Sequence, residues 1–175
     1  LLRDDGTLAP FADNGPEGAA AGRLGSWMTV NGRSLPERLT VRPGARVRIR
    51  IANAANARIL RIRFDGVKAN VLAVDGQPTD TFEPLRGTLP FPPGTRYDLM
   101  IDMPDTDGAV ANIMALIGPG LSLVRIAAQG RPMRAANAPL PEIVPLAPNK
   151  NLPPGIKLQN AVRADLLVEG GARIT

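Results

Sequence analysis

The sequence predicts an all-β domain, a Greek-key sandwich or barrel, and three observations lead there. Short runs alternate strictly between charged and apolar residues, which is the period of a strand with one wet and one buried face. Turn dipeptides punctuate these runs at near-regular spacing. The 175 residues include 18 Gly and 18 Pro with no Gly-X-Y period, a usage that fits many short strands joined by turns. Hydrophobic residues make up 44% but aromatics only 3%, so the core must be aliphatic. The length suits one domain with an appended extension.

Taken in order, residues 1–25 are polar and rich in Gly and Ala, with Asp4-Asp5-Gly6 as a turn signal, and predict a short opening strand followed by a long surface loop. Residues 27–31 (WMTVN) predict a strand stopped by Asn31-Gly32. Trp27 is expected to anchor that strand by burying its ring in a core with few other aromatics. Residues 39–41 and the turn Arg42-Pro43-Gly44 lead into the clearest strand, 46–51, where Arg46, Arg48 and Arg50 alternate with Val47, Ile49 and Ile51. Residues 58–64 repeat the pattern, with Leu60, Ile62 and Phe64 opposite Arg61 and Arg63. After Asp65-Gly66, residues 69–74 form a more buried strand ended by Asp75-Gly76. Residues 79–82 and 86–89 are short strand candidates on either side of Pro84, and Phe91-Pro92-Pro93-Gly94 cannot extend a ladder because proline has no N–H. Residues 97–103 alternate again up to Pro104, and 109–117 with 121–127 predict a hairpin across Gly118-Pro119-Gly120.

Two local designs stand out. Pro43-Gly44 and Pro93-Gly94 each precede an alternating strand with Arg two residues after the glycine (Arg46, Arg96), as two echoes of one hairpin design. Asn53 and Asn56 flank a turn in which side-chain amides can cap backbone groups.

The chain contains no His and no Cys. That removes thiolate nucleophiles, disulfides, zinc fingers, His-ligated haem and the His/Cys blue-copper centre, and with them the usual nucleophile triads. No catalytic, cofactor-binding or metal-binding residue is therefore expected. Met28, Met100, Met103, Met114 and Met133 are dispersed and read as packing residues rather than as a cuprous site. Asp65 and Asp75 sit directly before glycine, as turn residues do, and Asp102, Asp105 and Asp107 form no complete ligand set. Asp105-Thr106-Asp107-Gly108 lacks the later ligands of a calcium loop. The net charge of +5 arises from arginines spread along alternating strands, the pattern of a solvated face, and no nucleic-acid partner is expected. No run of about 18 apolar residues is present for a membrane span, and residues 1–11 do not read as a signal peptide.

After Gln129 the composition changes. Prolines at 132, 139, 141, 145, 148, 153 and 154 predict an extended linker over 131–162. Residues 163–169 (RADLLVE) then look like one isolated strand, the start of a following domain over 163–175.

The run GRLGSWMTVNGRSLPERLTVRPGARVRIRIANAANAR, then VLAVDGQPTDTFEP, then FPPGTRYDLMIDMP, in this order and spacing, resembles the second domain of multicopper oxidases, the family of laccases and bacterial copper-tolerance oxidases. The resemblance covers roughly residues 1–127. It implies a cupredoxin-like Greek-key fold for residues 1–130. It also implies copper in the parent protein, flanking copper-bearing domains in the same polypeptide as partners, and a periplasmic or secreted location. In the family one copper takes electrons from substrate and passes them to a three-copper cluster that reduces oxygen to water. His-x-His and His-Cys-His motifs hold those ions. Where copper-bearing repeats often place His after the Asp-Gly turn, this sequence has Val67-Lys68. The resemblance thus implies a copper-free middle domain, a spacer that adds a wall to the substrate cleft. A copper-free envelope scaffold with the same fold is the alternative. An independent β-sandwich adhesion or carbohydrate-binding module fits poorly, because the few aromatics are scattered. Dimerisation of the chain by itself is also expected, through apolar surface that neighbouring domains would cover.

Overall fold

Alternation along the sequence becomes two sheets with a shared interior. The structure, a computed structural model, describes residues 5, 7, 25, 27–135, 138–152, 155 and 158–167. Eleven strands form among them: β1 (Thr29–Val30), β2 (Arg33–Ser34), β3 (Glu37–Val41), β4 (Arg46–Ala52), β5 (Leu60–Asp65), β6 (Ala69–Val74), β7 (Gln77–Phe82), β8 (Thr88–Phe91), β9 (Arg96–Asp102), β10 (Val110–Ala115) and β11 (Leu121–Ala128). A five-stranded sheet has the order β3-β11-β10-β5-β8, a four-stranded sheet the order β4-β9-β6-β7, and β1-β2 form a small ribbon. The β3–β11 pair is parallel and every other pair antiparallel. This is the all-β, two-sheet architecture that the alternation and turn spacing predict.

The core is aliphatic. Leu60, Ile62 and Phe64 of β5 point inward against Val71 of β6 and Leu99 and Ile101 of β9, with Ile113 and Ile126 from the hairpin. Burying each such side chain contributes about 1.5–3 kcal/mol. Tyr97 joins this core, its ring 5.8 Å from that of Phe91, and its hydroxyl donates to Pro90 O at 2.7 Å.

The repeated Pro-Gly turns prove to be spatial partners. β4 and β9 pair along their whole length, Arg46 opposite Asp102 and Ala52 opposite Arg96. Each turn therefore closes the far end of the other's strand: Gly44 N donates to Pro104 O and Gly94 N to Asn53 O, both at 2.8 Å. Both glycines have positive φ, 71° and 85°, where a Cβ would be strained. Asn53, 5% exposed, also donates its side-chain amide to Phe91 O and Arg58 O and accepts from Ala55 N. One buried amide thus ties the β4–β5 turn to the end of β8.

Several local expectations change. Trp27 is 82% exposed rather than an interior anchor; β1 has only two residues and brings too little sheet to cover an indole. Arg86 is not in a strand but in the 3-10 turn Leu85–Gly87, with φ 54°. β7 begins at Gln77 and contains Pro78, which an edge strand tolerates. Among the described residues, 163–167 are exposed and pair with no strand, while 168 and 169 lie outside the described residues, as does most of the predicted opening strand and loop over 1–25.

The proline-rich segment lies against the domain. Met133 N donates to Pro43 O, Arg46 donates to the carbonyls of Pro141 and Glu142, and Asn149 donates to Gln77. Arg46 lies on β4, one edge of the four-stranded sheet, and Gln77 on β7, the other. The segment therefore crosses the outer face of that sheet as a strap. Ile143, Leu146 and Asn149 are half-buried and the residues between them exposed, so one residue in three turns toward the sheet. At a bulge in β6, Leu72 (1% exposed) and Ala73 (4%) are closed off from solvent yet lie outside the central cluster, and Ala73 is opposite Asp98, whose carboxylate meets the arginines of the outer face.

Candidate functional site

The chemistry available begins with the charged rows on the two sheets. On the outer face of the four-stranded sheet, register places the arginines of β4 beside the aspartates of β9. Arg46 grips Asp102 with two hydrogen bonds of 2.9 and 2.8 Å, Arg48 grips Asp98 at 2.8 and 2.6 Å, and Arg50 shares Asp98 at 3.3 Å. Arg134 of the strap approaches Asp102 at 3.8 Å. These forked pairs match guanidinium geometry to carboxylate geometry. The hydrogen bonds from Arg48 hold the Asp98 carboxyl below the usual carboxylate range, with the Arg50 contribution smaller. Arg63 does the same to Asp65 on β5. Burial pushes the Tyr97 phenol up, so it stays a neutral hydrogen-bond donor.

Two clefts flank this framework. One, about 1110 Å³, opens between the strap and the sheet and is lined by Lys68, Asp80, Glu83, Asp105, Arg134 and Glu142 among others. The other, about 710 Å³, runs beside β4 and reaches Ile49, Ile51, Ile62 and Phe91, with exposed Trp27 at its rim. Among the described residues, neither is lined by Ser, Cys or His.

Copper, the metal that the resemblance implies, calls for imidazole or thiolate donors, or for clustered thioethers. The chain has no His and no Cys. Among the described residues no three of the His, Cys, Asp and Glu side chains gather where they could hold an ion. The aspartates nearest to one another along β9 are taken up by arginines. The five methionines sit in separate settings: Met103 is 1% exposed in the core, Met100 lies on β9, Met114 on β10, Met28 precedes β1, and Met133 is 52% exposed in the strap. The residues present do not fit a copper ion. Asp75 has φ 50° in the turn after β6, as its place before Gly76 predicts, and its carboxylate also accepts from Arg96 N at 2.8 Å, 21 residues away in sequence. Asp107 accepts from Gly130 N at 2.9 Å, tying the loop before β10 to the end of β11. The forked ladder was not visible in the sequence, although the matching period-2 placement of Asp98 and Asp102 was its one available signal.

Comparison with known proteins gives a consistent answer. The multicopper oxidase family profile matches residues 8–117. Among solved structures, the chain is similar to the multi-copper oxidase of Pseudomonas thermotolerans, with 28% identity and a TM-score of 0.69 over 85% of this chain and 34% of that one. It is similar to the multi-copper oxidase of Pseudomonas parafulva, with 27% identity and a TM-score of 0.62 over 85% and 34%. Lac15 from a marine microbial metagenome shares 32% identity with a TM-score of 0.54 over 67% and 30%. The chain spans about a third of the length of these proteins. No curated protein matches. No helix among the described residues is long and apolar enough to cross a membrane. With a profile match over more than half its length and the sandwich those oxidases share, the chain belongs to the multicopper oxidase family.

Proposed function

We propose that this chain is the copper-free middle domain of a multicopper oxidase, placed between copper-bearing domains of the same polypeptide in the periplasm or outside the cell. The observation that carries the reading is chemical: a family whose activity depends on imidazole- and thiolate-bound copper is represented here by residues that include neither donor. What remains for such a domain is geometry. The paired Pro-Gly turns and the Asn53 amide fix the ends of β4 and β9, and the strap fixes the path of the chain after β11. In this reading residues 1–130 are the domain, 131–162 connect it onward, and 163–175 begin the next unit. The domain holds its neighbours at a set separation and contributes a wall to the substrate cleft.

Copper analysis of the full-length polypeptide tests this. Replacing Met100, Met103 and Asp102 one at a time should leave the copper content per polypeptide unchanged, and replacing His and Cys ligands outside this segment should lower it. Loss of a copper on changing any of the three residues would contradict the proposal.

A further inference from the structure

We propose that the outer face of the five-stranded sheet is a docking surface for an acidic protein surface, which Arg38, Arg61 and Arg125 read. The inference is independent of the spacer reading. Arg38 of β3 lies directly beside Arg125 of β11 in a parallel pair, and Arg125 is opposite Asn112 of β10, which is opposite Asp65 of β5. Arg61 and Arg63 extend the same outward row along β5, because Leu60, Ile62 and Phe64 between and beside them point into the core.

This face carries four arginines and one carboxylate. Asp65 is already gripped by Arg63 at 2.6 and 2.9 Å. Arg38, Arg61 and Arg125 are exposed and have no carboxylate partner among the described residues. Like charges directly opposite on adjacent strands destabilise a sheet, so the Arg38–Arg125 pair is a cost that a partner's carboxylate would relieve. The same chain shows the preferred solution three times, in the forked pairs Arg46–Asp102, Arg48–Asp98 and Arg63–Asp65. A planar guanidinium favours that two-point grip.

The face also selects among anionic partners. Among the described residues it carries no aromatic ring, since Phe64 and Phe91 point inward, and bases would find nothing to stack on. A second copy docking face to face would set arginine against arginine. Asn112, Ser122 and Thr40 add polar groups to this face beside the arginines, Ser122 donating to Asn112, and these suit a polar, acidic protein surface.

The test is a backbone and guanidinium NMR titration of the isotopically labelled chain with hexaglutamate at low salt, about 50 mM. Parallel titrations use a short DNA duplex and anionic phosphatidylglycerol vesicles. The expected result is a set of shifts concentrated on β3, β11 and β5 around Arg38, Arg125 and Arg61. R125E should weaken hexaglutamate binding by about tenfold or more, equivalent to about 1.4 kcal/mol, while raising the thermal midpoint because it sets Glu opposite Arg38. That opposite movement of affinity and stability separates a docking role from a folding defect. Shifts centred on Arg46, Arg48 and Arg50, or unchanged affinity in R125E, would overturn the proposal. Tighter, arginine-dependent binding of the duplex or the vesicles would overturn it as well.

Discussion

The two outer faces of the sandwich use the same residue to opposite ends. On the four-stranded sheet, Arg46, Arg48 and Arg50 meet Asp98 and Asp102 across the β4–β9 register, and a proline-rich strap crosses the face. On the five-stranded sheet, Arg38 meets Arg125. In both places period-2 alternation turns the arginines outward. What differs is the strand that lies next door. The alternation of a strand decides which face a charge occupies, and the register of its neighbour decides whether that charge is neutralised.

The comparison breaks most readily at the strap. If the strap seals one face, Leu72 behaves as a core residue although it sits outside the central cluster. Leu72→Ala should then lower unfolding stability by about 3 kcal/mol, the usual range for a buried Leu truncation, as read from urea denaturation. A loss below about 1 kcal/mol would mean that the strap does not close that face.

A smaller effect sharpens the electrostatic contrast. Asp98 and Asp65 both have folded pKa values held below those of the unfolded chain, by hydrogen bonds from Arg48 and from Arg63. A depressed carboxyl contributes stability that is fully present above the unfolded value, about 3.9, and is lost as pH falls through the folded value. Stability should therefore decline below about pH 4. Both arginines are substantially exposed, so solvent screens each pair and the acid limb should be shallow. Arg48→Gln should flatten part of that acid limb, as followed by urea midpoints between pH 5 and pH 2, both roughly bracketing the carboxylate range. An acid limb identical in Arg48→Gln and the parent chain would show that the pair is not felt in solution.

How much of this was legible in the sequence follows from which interactions are local. β5 shows inward Leu60, Ile62 and Phe64 and outward Arg61 and Arg63, as its alternation predicts, because both faces of that strand are defined within the sheet. β4 alternates just as strictly, yet Val47, Ile49 and Ile51 are only half-buried. Among the described residues β4 is an edge strand beside an apolar cleft, and edge position is a property of topology that alternation does not encode. Trp27 misled for a related reason: large apolar area favours burial only where enough neighbouring structure exists to cover it. The prolines of 131–149 announced an extended segment, but its course depends on Arg46 and Gln77, which are distant in sequence. The absence of His and Cys, by contrast, needed no fold at all to be read.

That absence carries the proposal that this domain contributes shape to the parent protein without holding the metal. Titrating the purified chain with Cu(I) and with Cu(II), followed by calorimetry and electron paramagnetic resonance, tests it most directly. The account predicts no saturable one-to-one binding of either ion. Tight stoichiometric binding, or a Cu(II) signal with resolved nitrogen or sulfur coordination, would contradict it.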